Sequence, residues 1–270
     1  MDARRSDPGV PALPAATVIL VRDAADGLQV WLLRRVRGLA FAGGASVFPG
    51  GRVDAADVTA DLPGAGAAGS VAGFAARFGC SVAEAHASAA AAIRETFEET
   101  GVLLTRPPYA VATAPDERWL ADQRRRVEAH EVAFTAVLSA LGVAIDVDLI
   151  RPWARWITPA GEPRRYDTHF YVAALPRGSR PDSETTEASH GGWITPTRAL
   201  SKHGRGQRPM LAPTVVALDE LAGFTTVDDV LAASSLRSLA PVRPELTTAD
   251  GLITVRLPDG RRFSRPSAGS

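Results

Sequence analysis

Arg94-Glu95-Thr96-Phe97-Glu98-Glu99-Thr100-Gly101-Val102 is the stretch on which the reading of this 270-residue chain turns. Its three glutamates stand at i, i+3 and i+4. At roughly 100° per residue they share an arc of roughly 100° on one helix face, while Ala90, Ile93 and Phe97 fall on the opposite face. One side is core; the other is a patch of like charge that costs stability unless it is neutralised. Hard carboxylate oxygens in that number suit Mg²⁺ or Mn²⁺, and Mg²⁺ commonly reaches substrate phosphates as well as protein. Taken alone, such a string reads more readily as a solvated acidic face.

Just upstream, Ser81-Val82-Ala83-Glu84 has the capping-box pattern and opens a long Ala-rich helix that Gly101 ends. Glu84 shares the face of Glu95 but lies about 16 Å away along the axis, and its capping role accounts for it. His86 falls on the core-facing side and reads as structural. Ser88, Ala91 and Ala92 are small residues on the glutamate side, reflecting helix propensity or leaving room for the inserted segment. That chain, from Asp57 to Gly79, is rich in Ala and Gly without periodicity and reads as an inserted, partly ordered excursion.

Further out, Ala15 to Arg22 and Gln29 to Arg35 read as a hairpin around Asp23–Gly27. Ser46-Val47-Phe48 is a brief strand running into Pro49-Gly50-Gly51, residues that suit a tight turn. Beyond the helix, Val102 to Thr105 reads as a strand, and Pro115 to Gly142 has helical periodicity broken near His130. Leu149 to Ile157 and Arg165 to Ala174 form a second predicted hairpin, in which His169 faces either substrate or solvent. Trp193-Ile194 reads as a short strand before a helix opening at Thr195-Pro196. Helices near 213–222 and 226–233 follow, then a hairpin from Gly251 to Phe263. The last two helices resemble a helix-turn-helix only in spacing: the second carries Asp228 and Asp229 and no Lys or Arg, so it does not suit a DNA groove.

Composition narrows the classes. Hydrophobic residues at 46% and charged residues at 22% support a globular core. Lys+Arg and Asp+Glu both number 30, so no overall field favours a nucleic-acid polymer or an anionic membrane, and an anion site must be built locally. Cys80 is the single cysteine, which excludes an intramolecular disulfide. Residues 1–14 carry no apolar leader and no run is long enough to span a bilayer, so the expectation is a soluble cytoplasmic protein. It comprises a flexible residue 1–14 segment and one domain over 15–270, with 58–80 as an insertion and 205–270 as a C-terminal extension.

The glutamate helix acquires its meaning from what precedes it. The run resembles the Nudix box, G-x5-E-x7-R-E-U-x-E-E-x-G-U with U apolar, at Arg94, Glu95, Glu98, Glu99, Gly101 and Val102, and Phe48-Pro49-Gly50-Gly51 is the usual entry to that box. Thr96 departs mildly from U. Counted from Gly51, the first box glutamate falls on Asp57; counted back from Arg94, it falls on His86. Residues 58 to 93 number 36 where the box has seven, an insertion of 29. This split box, with Gly38 to Asp54, resembles the Nudix branch that includes peroxisomal coenzyme A diphosphatases. Looser similarity continues through Tyr166 to Phe170, Glu187 to Trp193 and the helices after Pro213, covering most of the chain.

The resemblance implies a Nudix α/β/α sandwich with a mixed sheet, the insertion inside the box and a C-terminal helical extension. It implies a Mg²⁺ (or Mn²⁺) site made by Glu95, Glu98, Glu99 and the Gly51 carbonyl, with Arg94 orienting a glutamate and one glutamate handling water. A further carboxylate from outside the box is Glu187 or Glu184, Glu187 preferred. Arg35, Gly50, Gly51 and Arg52 are the substrate-binding candidates, and Arg34 and Arg37 flank Arg35 as further guanidinium groups able to bind phosphate. A coenzyme A motif of the family is matched in part: Leu32, Arg35 and Gly44 are kept, while Trp31, Leu33, Val36 and Ala40 depart from it. The implied reaction is hydrolysis of a phosphoanhydride in a nucleoside diphosphate linked to another moiety. Coenzyme A or acyl-coenzyme A, giving 3′,5′-ADP and (acyl-)phosphopantetheine, leads the candidates. NADH, ADP-ribose, capped or dinucleoside polyphosphate substrates, and a Nudix-fold regulator that binds a nucleotide without cutting it, are the alternatives. The small-molecule nucleotide is the implied partner, with a homodimer as the implied assembly.

Overall fold

The first strand, β1 (Leu13–Ala24), is the axis of the fold because its side chains alternate between two cores. Ala16, Val18 and Leu20 join one buried cluster and Ile19 and Val21 the other, as the two-residue period of a strand requires. In this computed structural model residues 10–36, 43–60, 62, 67–106, 117–183, 185, 188–249 and 252–266 are described. β1 turns through Ala25-Asp26 into β2 (Gly27–Arg35), antiparallel with Val21 opposite Val30. Two short strands follow, β3 (Ser46–Val47) against β2 and β4 (Gly50–Arg52) against β1.

Next come α1 (Ala55–Val58), α2 (Ala67–Phe78) and α3 (Val82–Thr100). β5 (Thr105–Arg106), α4 (Glu117–Glu128), α5 (Phe134–Leu141) and β6 (Ala144–Ile145) lead to the antiparallel pair β7 (Ile150–Ile157) and β8 (Tyr166–Ala174). β8 runs parallel to β1 from Leu13/Tyr166 to Val21/Ala174, and β9 (Ala188–Ile194) is antiparallel to β2. The resulting mixed sheet has the order β3-β2-β1-β8-β7, with β4 beside β1 and β9 beside β2. α6 (Pro196–Gly204), α7 (Ala212–Leu221) and α8 (Val227–Ser234) precede a separate three-stranded sheet of β10 (Glu245–Ala249), β11 (Leu252–Arg256) and β12 (Arg262–Pro266). α2 and α3 supply one cluster, and α7 and α8 supply the other, so the sheet is sandwiched between helices as expected. Among the described residues no helix is long and apolar enough to cross a membrane.

Several expectations are corrected. Within the supposed excursion, Ala67–Phe78 is a regular helix, and its Val71, Phe74, Ala75 and Phe78 are buried with Ala85, Ala89, Ala91 and Ala92 of α3. Ala and Gly hid a real apolar stripe because the facing surface is itself made of alanine and needs little side-chain volume. Gly50-Gly51 belongs to a strand rather than a turn. Residues 101–104 are irregular and pairing begins only at Thr105. The C-terminal hairpin gains a third strand, β10, and forms its own sheet.

His169 faces neither substrate nor solvent. It is 6% exposed, stacks on Phe78 at 4.1 Å between ring centroids, and its Nδ1 lies 3.0 Å from Ser88 Oγ, which is 3.0 Å from the Tyr171 hydroxyl. Burial, aided by the Arg155 charge, pushes its pKa down to about 4. Unfolded, the imidazole would take a proton near its ordinary value of about 6.5. His169 therefore contributes stability that is complete above about pH 6.5 and is lost as the pH falls toward 4. His169→Gln is expected to flatten the fall of Tm between pH 7 and 4.5; an unchanged acid limb would contradict this account.

Candidate active site

The site is assembled around a buried guanidinium. α3 starts with the predicted capping box, Ser81 N–H donating to Glu84 Oε2 at 2.8 Å, and stops at Gly101, which takes φ 72° and donates its N–H to the Phe97 carbonyl. Arg94 therefore projects from a fixed helix. Its Nε and Nη2 donate to Asp57 Oδ1 and Oδ2, both at 2.9 Å, a bidentate pair. Nη1 donates to Glu95 at 3.0 Å and Glu98 at 2.8 Å, and Nη2 also donates to the Arg52 carbonyl at 2.9 Å. Burial opposes the Arg94 charge, but the bond to Asp57 and the charges of Glu95, Asp57 and Glu98 outweigh it and hold the group protonated. Of the two positions the sequence left open for the first box carboxylate, Asp57 is the one that reaches the site; half-buried His86 makes no such bond.

The short strand β4 lays backbone directly against the glutamates. The Gly50 N–H donates to Glu99 Oε2 at 2.9 Å. A Cβ on Gly51 would sit 2.4 Å from Glu95 Oε1, and one on Gly50 2.3 Å from the Ala16 carbonyl. The Gly50 position needs glycine for close approach, whereas a Cβ at Gly51 would have to displace the Glu95 carboxylate. Burial raises Glu95 well above the usual carboxylate range; Arg94 counters it, and the Glu99 and Glu98 charges add to the rise. Burial raises Glu98 as well, with Arg94 offsetting part of it. Thr96, where the box has an apolar residue, is fully buried and donates its hydroxyl to the Ala92 carbonyl at 2.7 Å, so it fits an apolar position without an orphan donor.

The donor set suits a hard divalent cation: three carboxylates and a backbone carbonyl strand, with two carboxylates driven toward the neutral form by burial. Among the described residues no three His, Cys, Asp or Glu side chains are gathered closely enough to hold an ion as they stand. The Arg94 and Gly50 bonds engage one oxygen on each of Glu95, Glu98 and Glu99.

The structure brings Glu95, Glu98, Glu99, Arg94, Gly50 and Gly51 together. Arg52 is exposed and contributes its carbonyl to Arg94. Arg35 ends β2 at the same end of the sheet, its backbone paired with Gly44 and Ala45. Glu184, Glu187 and Arg37 lie outside the described residues. Two neighbours escaped the sequence reading. Arg124 of α4 is 5% exposed and donates from Nε to the Glu98 carbonyl at 2.8 Å and from Nη1 to Asp182 at 2.5 Å. Asp182 in turn donates its N–H to the Thr100 carbonyl at 3.1 Å, fastening the segment before β9 to the end of α3. His130, at φ 56° between α4 and α5, has Nδ1 3.8 Å from Asp54 and bears on the Glu98 charge. Both residues sit in helical periodicity that signals only packing; the break at His130 was the one visible trace.

This sandwich, with a glutamate helix facing a Gly-Gly strand, defines a Nudix pyrophosphohydrolase. A family model described as the NUDT19 Nudix domain matches residues 70–221, more than half of the chain, and the chain belongs to that family. It is similar to the acyl-coenzyme A diphosphatase NUDT19 of Gallus gallus, 30% identical over 267 residues that cover 83% of this chain and 70% of that one. It is likewise similar to the protein of the same name from Homo sapiens, at 28% over 275 residues, covering 85% and 71%. Among solved structures, a Nudix hydrolase from Alicyclobacillus acidocaldarius matches with a TM-score of 0.67 at 24% identity over 86% of this chain and 98% of that one, which supports the fold.

Removing the guanidinium would leave Asp57, Glu95 and Glu98 facing one another with little solvent. Arg94→Met is therefore expected to lower stability by about 3 kcal/mol or more in urea titrations, the usual loss when one side of a buried ion pair is deleted. A loss below about 1 kcal/mol would show that the network contributes little.

Proposed function

We propose that the chain hydrolyses the diphosphate of coenzyme A or acyl-coenzyme A, yielding 3′,5′-ADP and (acyl-)phosphopantetheine. The observation that carries the hydrolytic part is a carboxylate set, buried Glu98 and Glu99 with half-buried Glu95, pressed against the Gly50-Gly51 backbone with one guanidinium among more carboxylates than it can balance. The names of the relatives from Gallus gallus and Homo sapiens support the substrate. Glu95, Glu98, Glu99 and the Gly51 carbonyl would hold Mg²⁺ or Mn²⁺, which when bound neutralises charge on the diphosphate oxygens and acidifies water. Arg94 fixes Glu95 and Glu98, and the Gly50 N–H fixes Glu99, so that one of the three carboxylates takes the proton of the attacking water. Arg35 and Arg52 then meet the anionic substrate at the open end of the sheet. Catalysis on this scheme is positioning and electrostatics.

Incubation with Mg²⁺ and a panel of coenzyme A, acyl-coenzyme A, NADH, ADP-ribose, capped nucleotides and dinucleoside polyphosphates, read by mass spectrometry, is expected to release 3′,5′-ADP from the first two. Cleavage of another member alone would overturn the substrate, and cleavage of none the reaction. Glu98→Gln or Glu99→Gln is expected to reduce kcat by more than a hundredfold in a folded protein. Activity within about tenfold of wild type, only about 1.4 kcal/mol of barrier, would contradict the assignment.

The raised Glu95 and Glu98 groups also set a pH signature. In the cation-free protein the folded state holds their protons longer than the unfolded state, so their contribution to stability is full below the ordinary carboxylate range and declines as the pH rises through the elevated values. A cation competes with those protons. The Tm increment on adding Mg²⁺ over EDTA is therefore expected to be larger at pH 8 than at pH 5.5, and an increment independent of pH would count against cation binding at these groups.

A further inference from the structure

Away from the glutamates, a buried hydroxyl and a shielded guanidinium nitrogen, both without partners, lie near a second arginine. Ser46 is 1% exposed, and its Oγ has no hydrogen-bond partner. Arg208 is half-buried, and its Nη1 is fully shielded and equally without a partner. The backbone brings these residues together. Ser46 pairs with Arg34 across β3 and β2, its N–H donates to the Pro209 carbonyl at 2.8 Å, and it bridges to Met210. Arg34 follows Val30 and Leu32, whose side chains lie in the cluster beneath α6–α8, and so shares their face of β2 with Met210. A register shift between Arg34 and Arg35 in the pairing with β9 separates the two side chains further.

Neither Arg34 nor Arg208 makes an ion pair among the described residues. Burial lowers the Arg208 pKa and the Arg34 charge lowers it further, so the pair is placed at an electrostatic cost that no neighbouring acid relieves. Arg94, by contrast, meets Asp57. His203 does not help, because its Nδ1 is engaged by the Arg208 carbonyl at 3.1 Å.

We infer that Arg34, Arg208 and Ser46 form an anion subsite for a phosphate monoester. Two guanidinium groups and a hydroxyl supply donors of the right number and charge for a dianion with three terminal oxygens. Ser46 stands four residues before Gly50, a span of at most about 13 Å between Cα atoms, on the α6–α8 face of the sheet, whereas the glutamate helix packs on the other. A phosphate on the ribose of a substrate bound at the glutamates is one source of the monoester, and that source rests on the function proposed above. Free phosphate is the other and does not depend on it.

Both are tested with Arg208→Gln and Arg34→Gln, with Ser46→Ala as the mildest variant. The first arm compares acyl-coenzyme A with its 3′-dephospho form. Wild type is expected to favour the phosphorylated substrate at least tenfold in kcat/KM, and each arginine variant to bring that ratio close to one. The second arm reads thermal shift with adenosine 3′,5′-bisphosphate, AMP and inorganic phosphate, and needs no turnover. The bisphosphate is expected to stabilise wild type more than AMP does, with the difference lost in the variants. A response to inorganic phosphate alone, lost in the variants, would keep the subsite and assign it to the free anion. If the variants slow both substrates equally and no ligand separates them from wild type by thermal shift, the subsite is overturned. If wild type cuts neither substrate while the bisphosphate difference persists, the proposed reaction falls and the subsite stands.

Discussion

One guanidinium ties together segments that the sequence keeps far apart. Arg94 holds Asp57, 37 positions upstream, Glu98 one turn along its own helix, and the Arg52 carbonyl at the end of β4. Its planar fork makes this possible, since five donors in fixed directions can meet a bidentate carboxylate and still serve three further acceptors. A lysine offers a point charge and could not. Because the network is largely buried, the positions of Glu95 and Glu98 follow from the arginine rather than from their own rotamer preferences.

That network carries an imbalance. Asp57, Glu95 and Glu98 surround a single positive charge, and Glu99 stands close by on the Gly50 N–H. Burial converts the excess into raised carboxylate pKa values. A core designed for stability alone would replace such a cluster with apolar residues. Retaining it leaves a group of carboxylates that the single guanidinium does not balance. The alanine face of α3 is sealed by α2, Arg124 secures the end of the helix to Asp182, and β4 covers the flank with glycine backbone.

The helical half of the site was legible because its information is local. Three glutamates, an arginine and the capping box lie within one helix, and helical geometry alone places them. The sandwich followed from the resemblance of the split box to the Nudix family; the two hairpins were legible in their apolar runs, but the parallel pairing of β1 with β8 is non-local and was not. What escaped was non-local or carried by small residues. The α2 stripe of Val71, Phe74, Ala75 and Phe78 is ordinary in spacing but was masked by surrounding Ala and Gly. Arg124 is one of three consecutive arginines in α4, and nothing in sequence distinguishes it from Arg125 and Arg126, which are exposed. Burial against the Glu98 carbonyl singles it out, and burial is a property of the partner helix.

The insertion of 29 residues within the box poses a physical question that the structure answers. Here the chain leaves after Asp57, forms α2, and returns through Gly79 and Cys80 to α3, so proximity has to be restored by packing. α2 lies along the Ala85, Ala89 and Ala92 region of α3, and the loop-closure penalty of the longer connection grows only logarithmically with its length. Asp57 is meanwhile anchored independently, since its Oδ2 accepts the Asp54 N–H at 2.8 Å and its short helix follows directly from β4. Both ends of the split box are thus pinned, one by a strand pairing with β1 and the other by a helix packed on the sheet. The added residues hang between fixed points and need not disturb either.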